Sequence, residues 1–202
     1  MDEEQHKPQW ARYYKATGER SPRELLWQAV SQFETGGDEA RLAIDLGCGA
    51  GIETSALLKR GWQVVAMDNQ PEAMTHVMAR VSLEEQARLE TRLLSFEQLE
   101  LPPADLVWAG LSLPFCPPEH FEGLWAKVVN SLRPGGIFAG DFFGTRHVWS
   151  NNPKMTFHTA EQVKALFSAL PIEYFIEEEG RRRTTLQGMQ HWHGVSVIAR
   201  KP

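Results

Sequence analysis

The stretch Asp45-Leu46-Gly47-Cys48-Gly49-Ala50-Gly51 is a glycine cluster that separates two apolar patterns of different period. The run that leads into it, residues 42–46, is short and mostly apolar, which is typical of a buried strand. The residues after it repeat their apolar side chains at helical spacing through Leu57 and Leu58. Glycines permit a sharp turn and the close approach of a bound nucleotide to the backbone. The stretch therefore predicts a strand, a tight turn and a helix.

The same alternation of strand and helix continues along the chain. A capping box at Ser21 predicts a helix that starts there and ends at Gly36-Gly37, and a second one, Thr159 with Gln162, predicts a helix that ends at Pro171. The predicted strands lie at residues 42–46, 63–67, 93–94, 105–109, 137–139, 172–176 and 195–199. The sequence therefore predicts an α/β fold with a Rossmann-like, doubly wound, seven-stranded sheet. The sheet is mostly parallel with an antiparallel last strand, and helices cover both faces.

Composition restricts the class of protein. The chain has 202 residues, 42% of them hydrophobic and 23% charged, which predicts one globular domain over residues 1–202. The formal net charge of −5 argues against nucleic acid as a partner. Two cysteines suit a reducing compartment. The acidic amino terminus and the lack of an 18-residue apolar run predict a cytoplasmic protein without a membrane partner.

An acidic residue stands where a nucleoside-binding fold would use one. Asp68 follows the second predicted strand, twenty-one residues after Gly47, and a carboxylate there accepts hydrogen bonds from both hydroxyls of a ribose. The alternative is that the glycines only turn the chain and that Asp68 caps the next helix. A dinucleotide fingerprint needs a further glycine or alanine where this chain has Ile52, which disfavours a nicotinamide-dependent oxidoreductase.

The pattern Asp-x-Gly-x-Gly-x-Gly, from Asp45 to Gly51, resembles the first motif of class I S-adenosylmethionine-dependent methyltransferases. The resemblance implies that Asp45 lies near the amino group of the cofactor, that Asp68 binds its ribose, and that residues 132–136 form the turn before the fifth strand. It also implies that S-adenosylmethionine is the cofactor and S-adenosylhomocysteine the product. The reaction would be an in-line displacement that depends mostly on orientation and exclusion of water.

Five further segments are similar to motifs of small bacterial methyltransferases of the tellurite-resistance type: residues 10–14, 113–116, 142–144, 156–159 and 191–193. That group often has an acid at the end of the third strand, where this chain has Ser95-Phe96-Glu97, so the adenine contact is assigned to Ser95 and Phe96. The cofactor-binding residues implied in this way are Tyr13, Asp45, Gly47, Cys48, Gly49, Gly51, Asp68, Asn69, Ser95, Phe96 and Leu111.

Aromatic side chains and a few polar ones form the expected acceptor side, because aromatic faces favour a sulfonium. The substrate-binding candidates are Trp10, Tyr14, Phe115, Arg146, Trp149 and His193. No catalytic residue is certain, and the candidates are Arg146, His147 and His193, with core packing or a solvated loop as the competing interpretation. His191 and His193 share one side of a strand, but no third ligand is evident, so no metal is predicted.

The remaining predictions concern organisation and partners. Residues 1–20 are expected to form a lid, residues 21–150 the cofactor-binding core, and residues 151–202 a substrate-side part. The run Glu177–Arg183 predicts a solvated hairpin turn without a role in nucleic-acid binding. The expected partner is a small-molecule methyl acceptor, and the chain is expected to be a monomer or a homodimer. The alternatives are a nicotinamide-dependent oxidoreductase and a non-catalytic protein that binds S-adenosylmethionine.

Overall fold

The computed structural model describes residues 10–33 and 41–202. The first nine residues of the expected lid and the expected helix end at Gly36-Gly37 lie outside these residues. The helices are α1 (Trp10–Thr17), α2 (Glu24–Val30), α3 (Ile52–Leu58), α4 (Pro71–Arg80), α5 (Leu83–Gln86), α6 (Pro118–Ser131) and α7 (Ala160–Leu166). The strands are β1 (Leu42–Leu46), β2 (Gln63–Asp68), β3 (Leu89–Leu93), β4 (Ala104–Ala109), β5 (Leu132–Gly144), β6 (Phe157–His158), β7 (Ile172–Thr184) and β8 (Gly188–Arg200).

The strands form one mixed sheet in the order β3-β2-β1-β4-β5-β8-β7, and the short β6 pairs with the end of β5. Strands β1 to β5 are parallel, whereas β8 runs antiparallel to both β5 and β7. The predicted Rossmann-like sheet with its antiparallel last strand is confirmed, with β6 as a two-residue addition. The strand order reverses between β1 and β4, so ligands are expected beyond the carboxyl ends of these two strands.

Helices cover both faces of the sheet because the strands alternate their apolar side chains between two cores. One core packs α6 and α7 against one face through Phe121, Leu124, Trp125, Val128, Val163 and Phe167. The other core packs α1 to α4 against the opposite face through Tyr14, Leu26, Ala29, Ile52, Leu57, Leu58, Ala73 and Val77. The loops at the carboxyl ends of β1, β2 and β4 therefore meet α1 on this second face. None of the described helices is long and apolar enough to span a membrane.

Four local predictions were wrong, and one of them is the end of α7, which lies at Leu166 and not at Pro171. Helix α2 begins at Glu24 and not at Ser21, because the backbone N–H of Arg23 turns to the carboxylate of Glu53 (3.2 Å). Strand β3 ends, and does not begin, at Leu93, since it is a half-exposed edge strand with a weak apolar signal. Residues 177–183 lie inside the long strand β7, and the turn of the hairpin lies between Thr184 and Gly188. The capping box of Thr159 is present as predicted.

Candidate cofactor and acceptor site

The glycine turn between β1 and α3 has a backbone that only glycine adopts easily. Gly47, Gly49 and Gly51 have φ angles of 74°, 51° and 73°. A Cβ on Gly47 would lie 2.4 Å from the Cβ of Ser112, in the loop after β4, so a side chain is also excluded sterically. The N–H groups of Gly47 and Cys48 both donate to the carbonyl of Met67 (2.8 and 2.9 Å), which fixes the turn against β2.

Asp45 is a buried carboxyl group at the start of this turn. The hydroxyl of Thr54 donates to its Oδ2 at 2.6 Å. Burial, followed by the nearby carboxylate of Glu53, raises the pKa of Asp45 to about 7, although the Thr54 hydrogen bond opposes this shift. The group is therefore about half ionised at neutral pH, and a cationic ligand beside it would favour the ionised form.

Asp68 lies at the carboxyl end of β2 and is held in place by three donors. The N–H groups of Gly49 and Gln70 each donate to its carboxylate at 2.9 Å, and the hydroxyl of Tyr14 lies 3.4 Å from Oδ1. Burial raises the pKa of Asp68, while the two backbone bonds lower it in part. Helix α1 therefore contacts the same acid that is expected to bind the ribose, through Tyr14 and not through Tyr13.

A cleft lies between α1, the glycine turn and the end of β4. Five of the predicted cofactor-binding residues line it together: Tyr13, Asp45, Gly47, Cys48 and Gly49. Gly51 instead faces α4, because a Cβ there would meet Val77 at 2.9 Å, so its role is packing. Trp108, near the end of β4, is almost fully buried and lines the floor of this cleft.

Arg20 and Glu53 form an ion pair at the same cleft that sequence reasoning missed. Two guanidinium nitrogens of Arg20 donate to the two carboxylate oxygens of Glu53, at 2.6 and 2.9 Å. Glu53 is 5% exposed, and the Nε of Arg20 is buried without a hydrogen-bond partner. Arg20 follows α1 in a polar segment, and no periodicity marks it, because only the tertiary fold brings it to α3.

Arg80 on α4 connects the segment that follows α1 to the glycine turn. Its Nε donates to the carbonyl of Ala50 in the glycine turn, and its Nη2 donates to the carbonyl of Gly18, just after α1. Helix α1 and the glycine turn are therefore joined through a side chain that belongs to neither.

The predicted adenine contacts lie beside Asp68 at the edge of the sheet. The N–H of Leu94 donates to the carbonyl of Asp68 (3.0 Å), which places Ser95 and Phe96 next to the acid. Ser95 begins a 3₁₀ turn that it caps together with Gln98, and half-buried Phe96 packs against the core under α6. Asn69, the neighbour of Asp68, faces solvent, where its side-chain Oδ1 accepts a hydrogen bond from the side-chain amide of Gln70.

Leu111 is the one residue other than glycine with a positive φ (57°) in the part of the chain that the structure describes. Its N–H donates to the buried carboxylate of Asp141 at 3.2 Å. A left-handed conformation in a residue with a side chain costs about 1–2 kcal/mol, so strain is concentrated at the end of β4, beside the cleft.

The aromatic substrate candidates form one continuous row of rings on the face that α1 covers. Trp10 stacks near Tyr14 (6.0 Å between ring centroids) and meets the ring of Phe115 edge-on at 4.8 Å. Phe115 in turn lies 6.2 Å from Trp149 and 6.3 Å from Phe143. Four predicted substrate residues, Trp10, Tyr14, Phe115 and Trp149, are therefore brought together.

Arg146 and His193 do not join that row. A Cβ on Gly144 would meet the imidazole of His193 at 2.1 Å, so this ring crosses the face of the sheet opposite to Phe143. His193 is 1% exposed, accepts the backbone N–H of Arg146 at Nδ1 (3.0 Å), and contacts Glu177 through Nε2 (2.8 Å). The Arg146 guanidinium makes two hydrogen bonds, of 2.8 and 2.6 Å, to Glu179.

The third catalytic candidate, His147, lies on the other side, within the aromatic row. Its imidazole is 2% exposed and stacks on Phe143, with ring centroids 4.1 Å apart and planes 5° apart. Burial lowers the pKa of His147 to about 4, with a smaller contribution from His193 and His191. His147 is therefore neutral at physiological pH. His191 lies 3.1 Å from Glu179, and no group of three or more potential metal ligands occurs within residues 10–33 and 41–202.

Comparisons with known proteins agree with this geometry. Residues 43–136 match the model of a family described as a methyltransferase domain. The chain is 29% identical over 98 residues to a carboxy-S-adenosyl-L-methionine synthase of Shewanella sp. (strain ANA-3), covering 46% of this chain and 40% of that protein. It is 31% identical over 133 residues to a trans-aconitate 2-methyltransferase of Rhizobium leguminosarum bv. trifolii, covering 64% of this chain and 47% of that protein. The chain thus spans less than half the length of these two relatives.

Solved structures share the fold over most of the chain. TehB from Haemophilus influenzae superposes with a TM-score of 0.72 at 14% identity, covering 90% of this chain and 63% of TehB. The N-methyltransferase NodS from Bradyrhizobium japonicum, in complex with S-adenosyl-L-homocysteine, superposes with a TM-score of 0.68 at 15% identity, covering 99% and 91% of the two chains. Residues 43–136 are thus similar to a methyltransferase domain, and the chain as a whole is similar to the class I S-adenosylmethionine-dependent methyltransferases, with the fold of TehB and NodS.

Proposed function

We propose that the protein transfers a methyl group from S-adenosylmethionine to a small-molecule acceptor. The observation that carries the proposal is the cleft in which the glycine turn, Asp45 and the Arg20–Glu53 pair meet under α1. The turn offers backbone that a side chain would obstruct, and the buried acids offer acceptors for the cationic and hydroxyl groups of the cofactor. These residues fit an adenosyl sulfonium compound.

Each part of the cleft has a proposed partner on the cofactor. Asp45 accepts a hydrogen bond from the amino group, and Asp68 accepts hydrogen bonds from the ribose hydroxyls. Arg20, with a buried and unpartnered Nε, meets the carboxylate. Ser95 and Phe96 contact the adenine, while Tyr13, Cys48, Asn69 and Leu111 complete the walls. The domain is divided as the sequence indicates, with a lid in residues 1–20, a core in residues 21–150 and a substrate-side part in residues 151–202.

S-adenosylmethionine supplies a methyl group activated by a positive sulfur, with a neutral thioether as leaving group. The contribution of the chain is to orient the reactants and to exclude water. The row of rings from Tyr14 to Trp149 is proposed to do both, since Tyr14 packs beside Gly49 of the glycine turn and the rings offer aromatic faces to a positive group. Arg146 and His193 are not proposed to contact the acceptor, because their polar atoms are bound to Glu177 and Glu179.

A calorimetric titration of the full chain with S-adenosylmethionine, S-adenosylhomocysteine and NAD tests the proposal. Binding of both adenosyl compounds but not of NAD, with loss of affinity in Asp68→Ala, is the expected result. Binding of NAD alone would restore the oxidoreductase alternative. Binding of the adenosyl compounds without methylation of any acceptor in a small-molecule panel would favour a non-catalytic binding protein.

We also propose that the protein acts in the cytoplasm. The two cysteines, Cys48 and Cys116, are both buried free thiols, as a reducing compartment allows. Burial raises the pKa of Cys116 to about 12, so this thiol stays protonated and resists oxidation.

A further inference from the structure

The polar atom that stands out in the aromatic row is the Nε2 of His147. The Nδ1 of this ring accepts the backbone N–H of Trp149 at 3.1 Å, so the proton of the neutral ring is on Nε2. This Nε2 is fully buried and has no hydrogen-bond partner. A buried donor without a partner destabilises the folded chain, and a bound ligand with an acceptor atom would remove that cost.

Flat apolar surfaces surround this donor. The ring of Phe143 stacks on one face of the imidazole, and the rings of Trp149 and Trp192 approach it at centroid distances of 5.1 and 5.0 Å. Phe157 lies at 6.3 Å. Through Phe115 the group continues to Trp10 and Tyr14 on α1. Such surfaces select planar rings, because offset and edge-on aromatic contacts are favourable.

The charges near this group do not suit an anion. Arg146, one of the substrate-binding candidates in the sequence, lies on the opposite face of the hairpin, in ion pairs with Glu179 (2.6 Å) and Glu177 (3.6 Å). Arg182 lies over the ring of Trp192 at 5.0 Å but also pairs with Glu178 (3.6 Å). A buried anion among these rings would lack a free cationic partner from either arginine, and its desolvation would be costly.

We propose that the Nε2–H of His147 is the hydrogen-bond donor of the acceptor-binding site, and that the acceptor is a neutral, planar ring compound with a hydrogen-bond acceptor atom. This inference rests on the proposed methyltransferase function and narrows its substrate class. Half-buried Trp149 is the ring that moves to admit the compound. Its indole N–H holds only to Gln187 (3.3 Å), at the exposed tip of the hairpin.

Binding of two probes of the same shape tests the donor directly. Quinoline has a ring nitrogen that accepts a hydrogen bond, and naphthalene has none. With the full chain saturated by S-adenosylhomocysteine, we expect quinoline to bind about 5- to 10-fold more tightly than naphthalene, as one hydrogen bond implies. Equal affinities, binding of neither probe, or tighter binding of potassium tellurite than of quinoline would each overturn the inference.

Two variants separate the contribution of the Nε2–H donor of His147 from that of aromatic packing. His147→Phe keeps an aromatic ring on Phe143 but has no N–H, so it should remove the preference for quinoline and leave the affinity for naphthalene unchanged. His158→Phe is the matched control, because His158 also packs against aromatic rings, Phe121 at 4.6 Å among them, outside the row. A preference that survives in His147→Phe, or is lost equally in His158→Phe, would refute the role of Nε2.

Different results would contradict the proposed methyltransferase function and the proposed acceptor class. Calorimetry with S-adenosylhomocysteine alone tests the cofactor cleft, and His147→Phe should leave that affinity unchanged, which also shows that the variant folds. Failure of S-adenosylhomocysteine to bind the wild-type chain contradicts the methyltransferase function. Normal binding of S-adenosylhomocysteine without discrimination between the two probes contradicts only the assignment of the acceptor class.

A second, independent observation concerns the edge of the sheet. Strand β7 is the last strand in the sheet order, so one side of its backbone is open, and its residues 176–183 are exposed. The sequence there reads Glu177-Glu178-Glu179-Gly180-Arg181-Arg182-Arg183. Arg181 and Arg183 have no ion-pair partner within the described part of the chain, whereas Glu177 and Glu179 face the same side of the strand.

Antiparallel pairing of β7 with a second copy about Gly180 places Glu177 opposite Arg183, Glu178 opposite Arg182, and Glu179 opposite Arg181. Parallel pairing in register would place like charges together. Opposite charges that face each other across an antiparallel pair stabilise it, and like charges destabilise it. We infer that the protein forms a homodimer through antiparallel pairing of its β7 edges.

Charge reversal tests the dimer. Sedimentation equilibrium should show a dimer for the wild-type chain and a monomer for Arg181→Glu/Arg183→Glu, whose exposed positions leave the fold intact by circular dichroism. Mixing that variant with Glu177→Arg/Glu179→Arg should restore a heterodimer, because every facing pair on that side is then opposite in charge. A monomeric wild-type chain at millimolar concentration, or a dimeric Arg181→Glu/Arg183→Glu variant, would refute the pairing. If the second variant fails to fold, these two results still decide the question.

Discussion

Lowering the pH from 7 to 5 is expected to weaken the binding of S-adenosylhomocysteine through the buried carboxyl group of Asp45. Burial raises the pKa of this group to about 7, and the proposed contact with the ligand's amino group needs its ionised form. With that pKa, the ionised fraction falls from about one half at pH 7 to about 0.09 at pH 6 and 0.01 at pH 5. The dissociation constant of S-adenosylhomocysteine should therefore rise about fivefold from pH 7 to 6 and nearly tenfold more to pH 5.

The control is Asp45→Asn, which keeps the shape of the side chain and an acceptor for the Thr54 hydroxyl. This variant should bind more weakly at pH 7 and show a much flatter profile. Any pH dependence of the dissociation constant that persists in the variant is attributed to Asp68, whose pKa is also raised. A wild-type affinity that does not change between pH 5 and 7, or the same slope in both proteins, would show that the charge of Asp45 does not contribute to binding.

The same group affects stability in the absence of cofactor. The pKa of Asp45 is higher in the folded chain than in the unfolded one, so the folded chain binds more protons between about pH 4 and 7. Its contribution to the free energy of unfolding therefore decreases as the pH rises through this window and levels off above 7. Asp45→Asn should remove that decrease in urea denaturation curves, which provides a check that needs no ligand.

Three further substitutions test other parts of the cleft. Asp68→Asn should weaken S-adenosylhomocysteine binding by roughly 1–3 kcal/mol in a calorimetric titration, since the ribose loses a charged acceptor, and an unchanged dissociation constant would remove this residue from the site. Gly47→Ala should cost more unfolding free energy than Gly135→Ala, because both have φ near 75° but only the first would meet another side chain; equal costs would contradict the steric argument. Arg20→Ala leaves a buried carboxylate without its cation and should cost about 3 kcal/mol, much of it recovered in Arg20→Ala/Glu53→Gln. Purely additive losses would show that the pair is not coupled.

The parallel half of the fold and the position of its acids could be predicted because local rules determine them. Asp45 and Asp68 end two strands that pair in parallel, with Asp45 opposite Ala66, so both acids reach the same end of the sheet. The spacing of the glycines predicted a turn, and Gly47, Gly49 and Gly51 have the positive φ angles that such a turn uses. Periodicity and turn chemistry contain this information without reference to distant parts of the chain.

The acceptor side could not be predicted in the same way. It depends on which face of the sheet each side chain occupies, and not on the position of the residue along the chain. Arg146 and His147 are adjacent in sequence, yet one side chain joins the glutamates and the other the aromatic row. The division follows from Gly144, whose missing side chain leaves room for His193 on one face. Similarly, the length of β7 depends on its pairing with β8, which the sequence does not show. Without that pairing, the charged residues 177–183 indicate a turn.

The bonds of Arg80 to the carbonyls of Gly18 and Ala50 have a kinetic consequence. Helix α1 cannot move away from the glycine turn unless this guanidinium releases one of the two carbonyls. If the cofactor binds under α1 as proposed, the rate at which it exchanges with solvent would be linked to a residue on α4, which touches neither the proposed cofactor nor the reacting groups. Turnover limited by product release would then depend in part on this side chain.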